Sequence, residues 1–186
     1  MYKVCFVGNF IKSQFRRTGD EEFEYFFIKK AEDLDLLIKQ YDYVFLTNDT
    51  RDCLVMRYFI DSPYIIKIKK GTVENCAETI IYFCDSGIGI DMADFCGALR
   101  NGKYEIHFYG YIGLDQIMKY NDFFNISVGL VVKIHLSNDT NISLEKIEEE
   151  VRKIHIACNE NDYLAFNFDF LDCIHEDVCD VFIAMP

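Results

Sequence analysis

Short apolar segments alternating with helical, polar stretches are the feature that most constrains the fold of this chain of 186 residues. The apolar segments are rich in β-branched and aromatic residues, which is typical of buried strands. In the first 85 residues this pattern predicts strands over Tyr2–Gly8, Phe23–Ile28, Tyr43–Thr47 and Tyr64–Lys69, and helices over Ala31–Gln40, Arg51–Ile60 and Val73–Cys84. Because strands joined through helices form right-handed crossovers, we expect a parallel, Rossmann-like sheet.

The pattern changes after Asp85, where a loop with two glycines, Gly87 and Gly89, precedes a helix predicted over Ile90–Arg100. Ser143 is positioned to cap a later helix. The other predicted elements are strands over Lys103–Tyr111, Val128–Leu136, Tyr163–Phe170 and Val178–Ala184, and helices over Leu114–Tyr120 and Leu144–Cys158. The sequence therefore predicts an α/β fold: a small Rossmann-like parallel-sheet layer over residues 1–85, followed by an α+β domain over residues 86–186.

Composition excludes several classes of function. The formal net charge of −12 repels phosphate backbones and anionic lipids, so we expect no nucleic-acid partner. No apolar run approaches the roughly 18 residues of a membrane span. Met1 leads directly into the first predicted strand, without the pattern of a signal peptide. The eight cysteines are accordingly predicted to be reduced thiols in a cytoplasmic protein.

An ordered set of segments in the second half is similar to a known family. The segments are GIDMADF from Gly89, the strand from Ile106 to Gly113, GLVVKIHLSND from Gly129, ISLEKI from Ile142, the turn from Asn159 to Asp162, and CDVFIA from Cys179. Together they resemble the C-terminal domain of the FtsZ/tubulin family over roughly a hundred residues. The resemblance implies that residues 1–85 correspond to a shortened nucleotide domain.

The loops that bind GTP in that family have no counterpart here. The resemblance implies a glycine-rich turn after the first strand, where this chain has a single glycine, Gly8. It also implies a glycine-rich loop after the third strand, where Thr47–Asp52 contains no glycine and two carboxylates. Since phosphate cradles are made of closely approaching backbone amides, side chains and negative charges here oppose them. We predict no GTP bound in the family manner, no cofactor and no GTPase activity.

Asp91 and Asp94, with Gly89, are candidates for an interaction loop. The resemblance implies that this segment reaches the nucleotide of the next subunit in a family polymer and helps to activate the attacking water there. An asparagine of the family motif is replaced by Gly89, so no catalytic role is carried over. The alternative is that the two carboxylates only cap a helix, where they complement the helix dipole.

A second group of candidates follows the carboxyl ends of the first and third predicted strands, where Rossmann-like sheets bind ligands. These ligand-binding candidates are Asn9, Asn48, Asp49 and Thr50. The alternative is ordinary turn chemistry.

Cys173, His175 and Cys179 are candidates for a metal site, since thiolate and imidazole suit zinc. A fourth ligand is missing there, although His155 and Cys158 lie three residues apart on a predicted helix. We therefore predict no metal.

The sequence favours a non-GTPase FtsZ/tubulin-like interaction or scaffold protein, acting in cell division or on a cytoskeletal polymer, with FtsZ or a second copy of itself as partner. The alternative is an enzyme or sensor that binds a small molecule at the strand ends of the first domain. A third hypothesis is a homo-oligomer formed through the aromatic run from Phe23 to Phe27.

Overall fold

The computed structural model describes residues 2–8, 23–28, 41–47, 65–70, 76–85, 91–100, 103–137, 143–158, 163–171 and 174–186. Its strands, in chain order, are β1 Tyr2–Val7, β2 Phe23–Ile28, β3 Tyr43–Thr47, β4 Ile65–Lys70, β5 Glu105–Gly113, β6 Gly129–Ser137, β7 Tyr163–Leu171 and β8 Val178–Met185. The helices are α1 Cys76–Asp85, α2 Met92–Ala98, a 3₁₀ helix Leu114–Tyr120, α3 Asn121–Phe124 and α4 Leu144–Ala157. The two predicted helices over residues 31–40 and 51–60 lie outside the described residues.

All eight strands belong to one sheet, in the order β2-β1-β3-β4-β5-β8-β6-β7. The first five run parallel to one another, as the alternation of strands and helices predicts. β8 is antiparallel to both β5 and β6, and β6 and β7 are parallel through α4. The α/β fold class is confirmed, and the sheet is mixed in its second part.

The sheet continues across residue 85, because β4 pairs directly with β5. A row of phenylalanine rings also crosses this point inside one core. Phe6 stacks on Phe27 and Phe45, Phe45 contacts Phe95, and Phe95 contacts Phe182, with ring centroids 5.1–6.2 Å apart. Such offset and edge-to-face contacts add to the free energy of burial. Residues 1–85 and 86–186 therefore share packing as well as strand pairing.

The two faces of the sheet are covered by different helices. One face of β1, β3, β5, β6 and β8 packs against α1 and α2. The opposite face of β6 and β8 packs against α4 and the 3₁₀ helix. The apolar stripe of α4 includes Ile147, Val151 and Ile154, and Ser143 caps the helix by accepting a hydrogen bond from the Lys146 amide, as predicted. Among the helices of the described residues, none is long and apolar enough to span a membrane.

Candidate functional site

Asp91 and Asp94 form a capping box at the start of α2. The Asp91 carboxylate accepts a hydrogen bond from the Asp94 amide at 2.7 Å, and the Asp91 amide donates to the Asp94 carboxylate at 3.5 Å. This satisfies amides that have no partner within the helix. Both side chains are exposed, so capping leaves their charge accessible. Their use as an interaction loop stays a prediction, and Gly89 lies outside the described residues.

The four ligand-binding candidates, Asn9, Asn48, Asp49 and Thr50, also lie outside the described residues. The strands that precede them are neighbours, with Val7 of β1 opposite Leu46 of β3. Gly8 has a φ of 109° and donates its amide to the Ile28 carbonyl at 2.8 Å. That φ is one that residues with a side chain rarely adopt, so a glycine is required at the end of β1 even without a phosphate loop.

The candidate zinc ligands differ in how far they are buried. Cys179 is fully buried, and burial raises the pKa of its thiol to about 12. Its Sγ–H donates to the Ile112 carbonyl at 3.4 Å. His155 and His175 are exposed, and Cys173 lies outside the described residues. Within the part of the chain that the structure describes, no three His, Cys, Asp or Glu side chains are placed to hold a metal ion.

A cluster of four charged side chains, which the sequence interpretation missed, lies within the sheet. The charged cluster consists of Lys133 and His135 on β6, Asp169 on β7 and Asp180 on β8. Strand register places His135 beside Asp169 and Lys133 beside Asp180. These side chains alternate along their strands with the residues packed under α4, so they point to the face that carries α1 and α2.

His135 joins the two carboxylates of the charged cluster. Its Nδ1 lies 2.7 Å from Asp169 Oδ1 and its Nε2 lies 3.2 Å from Asp180 Oδ2. Lys133 Nζ lies 3.2 Å from the other oxygen of Asp169. Since both ring nitrogens face carboxylate oxygens, both are positioned to donate, which requires the protonated imidazolium. Three neighbouring strands are thereby joined through their side chains.

Asp180 is buried and receives further hydrogen bonds. The Thr79 hydroxyl of α1 donates to Asp180 Oδ2, and the Tyr111 amide donates to Oδ1 at 2.7 Å. Burying a carboxylate costs free energy of desolvation unless the carboxylate is both paired and hydrogen-bonded. Here the partners come from β5, β6 and α1, so the carboxylate of Asp180 is bonded to three separate elements.

Tyr111 occupies a break in the pairing of β5 with β8, whose register shifts between Tyr109 and Ile112. Its φ of 54° is left-handed, which is unusual for a residue that carries a side chain. This geometry aims the amide at Asp180, and the half-exposed ring stacks on His135 with centroids 6.2 Å apart. The bulge therefore brings Tyr111 into contact with both Asp180 and His135.

The electrostatics of the charged cluster favour the charged forms of His135 and Asp169. Burial lowers the pKa of His135, but hydrogen bonds and charge from Asp169 and Asp180 outweigh burial and raise the pKa to about 9. Burial raises the pKa of Asp169, yet the hydrogen bond and charge of His135, together with Lys133, bring it below its ordinary value. With both ring nitrogens engaged, His135 is not available as a general base.

Weak signals for the cluster were present in the sequence. Lys133 and His135 interrupt a strongly apolar strand two residues apart, and Asp169 and Asp180 each interrupt a strand of their own. Period-two placement puts Lys133 and His135 on one face. The order of β6, β7 and β8 in the sheet, which brings these side chains together, was not readable from the pattern.

Comparison with known proteins gives similarity at the level of the fold. Neither protein-family models nor curated protein sequences give a match. Among solved structures, a mutant of FtsZ from M. jannaschii superposes with a TM-score of 0.67 at 11% identity, covering 100% of this chain and 91% of the other.

Two further structures superpose less closely. An empty FtsZ dimer from M. jannaschii gives a TM-score of 0.46 at 12% identity and covers 84% of this chain. CetZ from Methanosaeta thermophila gives 0.48 at 9% identity and covers 83%. This chain spans 48% and 56% of their respective lengths. At such low identity, the superposition on the FtsZ mutant shows that this chain has an FtsZ-like fold.

Proposed function

We propose that the chain is a non-GTPase relative of FtsZ that serves as an interaction or scaffold protein on a cytoskeletal polymer in the cytoplasm. The observation that carries the proposal is an FtsZ-like fold over the whole chain combined with strand ends that lack phosphate-binding sequence. A protein with this fold and no nucleotide of its own retains surfaces for contact but not the switch that GTP supplies.

The ends of β1 and β3, which are neighbours in the sheet, are unsuited to binding a nucleotide. β1 is followed by Gly8, Asn9 and Phe10, and β3 by residues 48–52, which include Asp49 and Asp52. A phosphate chain bound there would meet side chains in place of bare amides and would be repelled by carboxylates.

The proposed contact surface is the start of α2, where Asp91 and Asp94 are exposed. In this proposal the two carboxylates face a subunit of FtsZ, at the place where the resemblance puts the interaction loop. Because the capping box holds both side chains at the helix start, they are ordered before contact. Ordering in advance reduces the entropy lost on binding.

The first experiment is a calorimetric titration of the chain with GTP and with GDP in the presence of Mg²⁺. We expect no binding heat above dilution. Stoichiometric binding of either nucleotide would overturn the proposal.

The second experiment mixes the chain with FtsZ and measures co-sedimentation and GTP turnover by FtsZ. We expect the chain to co-sediment or to change turnover, and the Asp91→Asn, Asp94→Asn double variant to weaken the effect. Asparagine is also a good N-cap, so α2 should persist at Asp91→Asn. Asp122→Asn, an exposed carboxylate at the start of α3, is the matched control. No binding and no change in turnover would remove FtsZ as the partner.

The alternative of an enzyme or sensor at Asn9, Asn48, Asp49 and Thr50 stays a prediction. A thermal-shift screen tests it, since a ligand that binds only the folded chain raises its melting temperature. The shift should then disappear in Asn48→Ala.

A further inference from the structure

β7 forms one edge of the sheet and is long and regular. It pairs with β6 over nine consecutive positions, from Gly129 opposite Tyr163 to Ser137 opposite Leu171, without a register shift. In the described part of the chain no strand pairs with its other side. A regular edge offers a row of amides and carbonyls that another strand can join.

In the part of the chain that the structure describes, β7 lacks several of the features that protect an edge strand. Natural edges carry lysine, proline, bulges or short length to prevent pairing with another chain. The sequence of β7, YLAFNFDFL, has no lysine, arginine or proline. Phe168 and Phe170 are about half exposed and contact each other, with ring centroids 6.4 Å apart. The strand therefore presents apolar surface together with an open edge.

The charge of β7 is compensated within the chain. Asp169 is its only ionisable acidic or basic residue, and its carboxylate is bonded to His135 and paired with Lys133. The whole chain carries a formal charge of −12, so most of its surface repels a second copy. β7 is an exception because the charged cluster neutralises it. An edge without net charge favours a partner strand that is also without net charge, and β7 of a second copy is such a strand.

We propose that β7 pairs antiparallel with β7 of a second copy, around a two-fold axis at Asn167. This register places Phe168 opposite the second copy's Phe166, and Phe170 opposite its Leu164. Asp169 then lies opposite the second copy's Ala165, so no two carboxylates oppose each other. Cross-strand aromatic and aliphatic pairs stabilise paired strands, and the open backbone groups gain hydrogen bonds. A two-fold axis uses the same surface on both copies, which suits a self-complementary strand.

This inference deepens the proposed function by naming one partner, a second copy of the chain. The inference is tested by the molecular mass of the chain in solution, whereas the proposed function is tested by the heat of nucleotide binding and by effects on FtsZ. A chain that dimerises through β7 and also binds GTP would refute the first proposal and support this one. A monomer that binds FtsZ would do the reverse.

Sedimentation equilibrium over a range of concentrations is the first test. We expect the unaltered chain to form dimers, and Phe168→Lys and Phe170→Lys to be monomeric at the same concentrations, since lysine on an edge strand opposes pairing. Ile126→Lys replaces another exposed apolar side chain, which is not part of β7, and should remain dimeric. A monomer at every concentration, or a dimer that Phe168→Lys and Phe170→Lys leave intact, would overturn the proposal.

The absence of tryptophan from the sequence allows a second test that keeps the strand aromatic. Phe168→Trp introduces a single reporter at the proposed interface. Its emission should shift to the blue as protein concentration rises, because dimerisation buries the indole, whereas Ile126→Trp should show no shift. Emission from Phe168→Trp that is independent of concentration across the range where mass is measured would contradict the pairing of β7.

Discussion

At the scale of single residues, the protonation of His135 is coupled to the hydrogen bonds of the charged cluster. Its imidazolium lies between Asp169 and Asp180, and its ring is covered by Tyr111. Neutral imidazole has one donor instead of two, so loss of the proton breaks one of the two carboxylate bonds.

The stability of the chain is therefore predicted to depend on the charge of His135. The pKa of His135 rises from 6.5 to about 9 on folding, so the stabilisation is complete below the unfolded value and is lost as the pH rises through the folded one. The shift corresponds to about 3 kcal/mol. We expect the difference in unfolding free energy between the unaltered chain and His135→Gln to decrease from pH 6 to pH 9.5 in urea titrations.

The matched control for this titration is His155→Gln, which alters an exposed imidazole on α4. Its effect on the unfolding free energy should be small, because the side chain is exposed. An NMR titration of the His135 ring in the unaltered chain gives the folded pKa directly. A value near 6.5 would contradict the charge assignment of the cluster.

At the scale of elements, the end of α2 and the start of β6 are in close contact. A Cβ added to Gly129 would lie 1.9 Å from the Ala98 carbonyl oxygen. Arg100 strengthens the junction by donating to the Val128 carbonyl at 2.9 Å and lying over the Tyr163 ring at 3.9 Å. Glycine at position 129 thus sets how near the helix approaches the sheet.

Gly129→Ala is predicted to destabilise the chain, because backbone atoms of α2 would have to move. Overpacking of this kind costs about 1–3 kcal/mol or more. Gly97→Ala, at the residue that precedes Ala98 in α2, is the matched control, since nothing lies within 4 Å of a Cβ added there. That change should stabilise the chain by up to about 1 kcal/mol through helix propensity. Urea unfolding of both variants measures the two effects, and equal effects would contradict the close contact.

Much of the element pattern was predictable, for a reason visible in particular strands. The predicted bounds of β2 and β3 match the structure to the residue, because each is a mainly apolar run between polar segments. The helix predicted over Leu114–Tyr120 has the right bounds. The segment is a 3₁₀ helix, and a short α-helix follows it. Periodicity over so few residues does not separate these two helix types.

The candidate site was predicted less well, because its members are distant in the sequence. Lys133 and Asp180 are brought together by β8 lying between β5 and β6, an arrangement set by tertiary packing and not by local pattern. The capping role of Asp91 and Asp94 was one of the two alternatives derived from the sequence. Local chemistry was sufficient there, since the hydrogen bonds span only three residues.

At the scale of the whole molecule, one core is shared by both parts of the sequence. Phe45 of β3 contacts Phe95 of α2, which contacts Phe182 of β8. The sheet is continuous through β4 and β5. The division at residue 85, predicted from the sequence, therefore need not separate two units that unfold independently.

Phe45→Ala and Phe182→Ala are predicted to shift the same unfolding transition, although they lie on opposite sides of residue 85. Each truncation of a fully buried ring should cost about 3–5 kcal/mol. Urea unfolding followed by far-UV circular dichroism should show a single transition that both variants move to lower denaturant. Two separate transitions, each moved by only one variant, would establish independent domains.

The position of β8 has a consequence for the newly made chain. Among the described strands, β8 is synthesised after all the others, yet it lies between β5 and β6 and pairs with both. Until residues 178–185 leave the ribosome, the strand that joins β5 to β6 is absent, and the long edges of β5 and β6 have no β8 to pair with. The nascent protein therefore holds two unfinished pieces of sheet, and joining them waits for translation of β8.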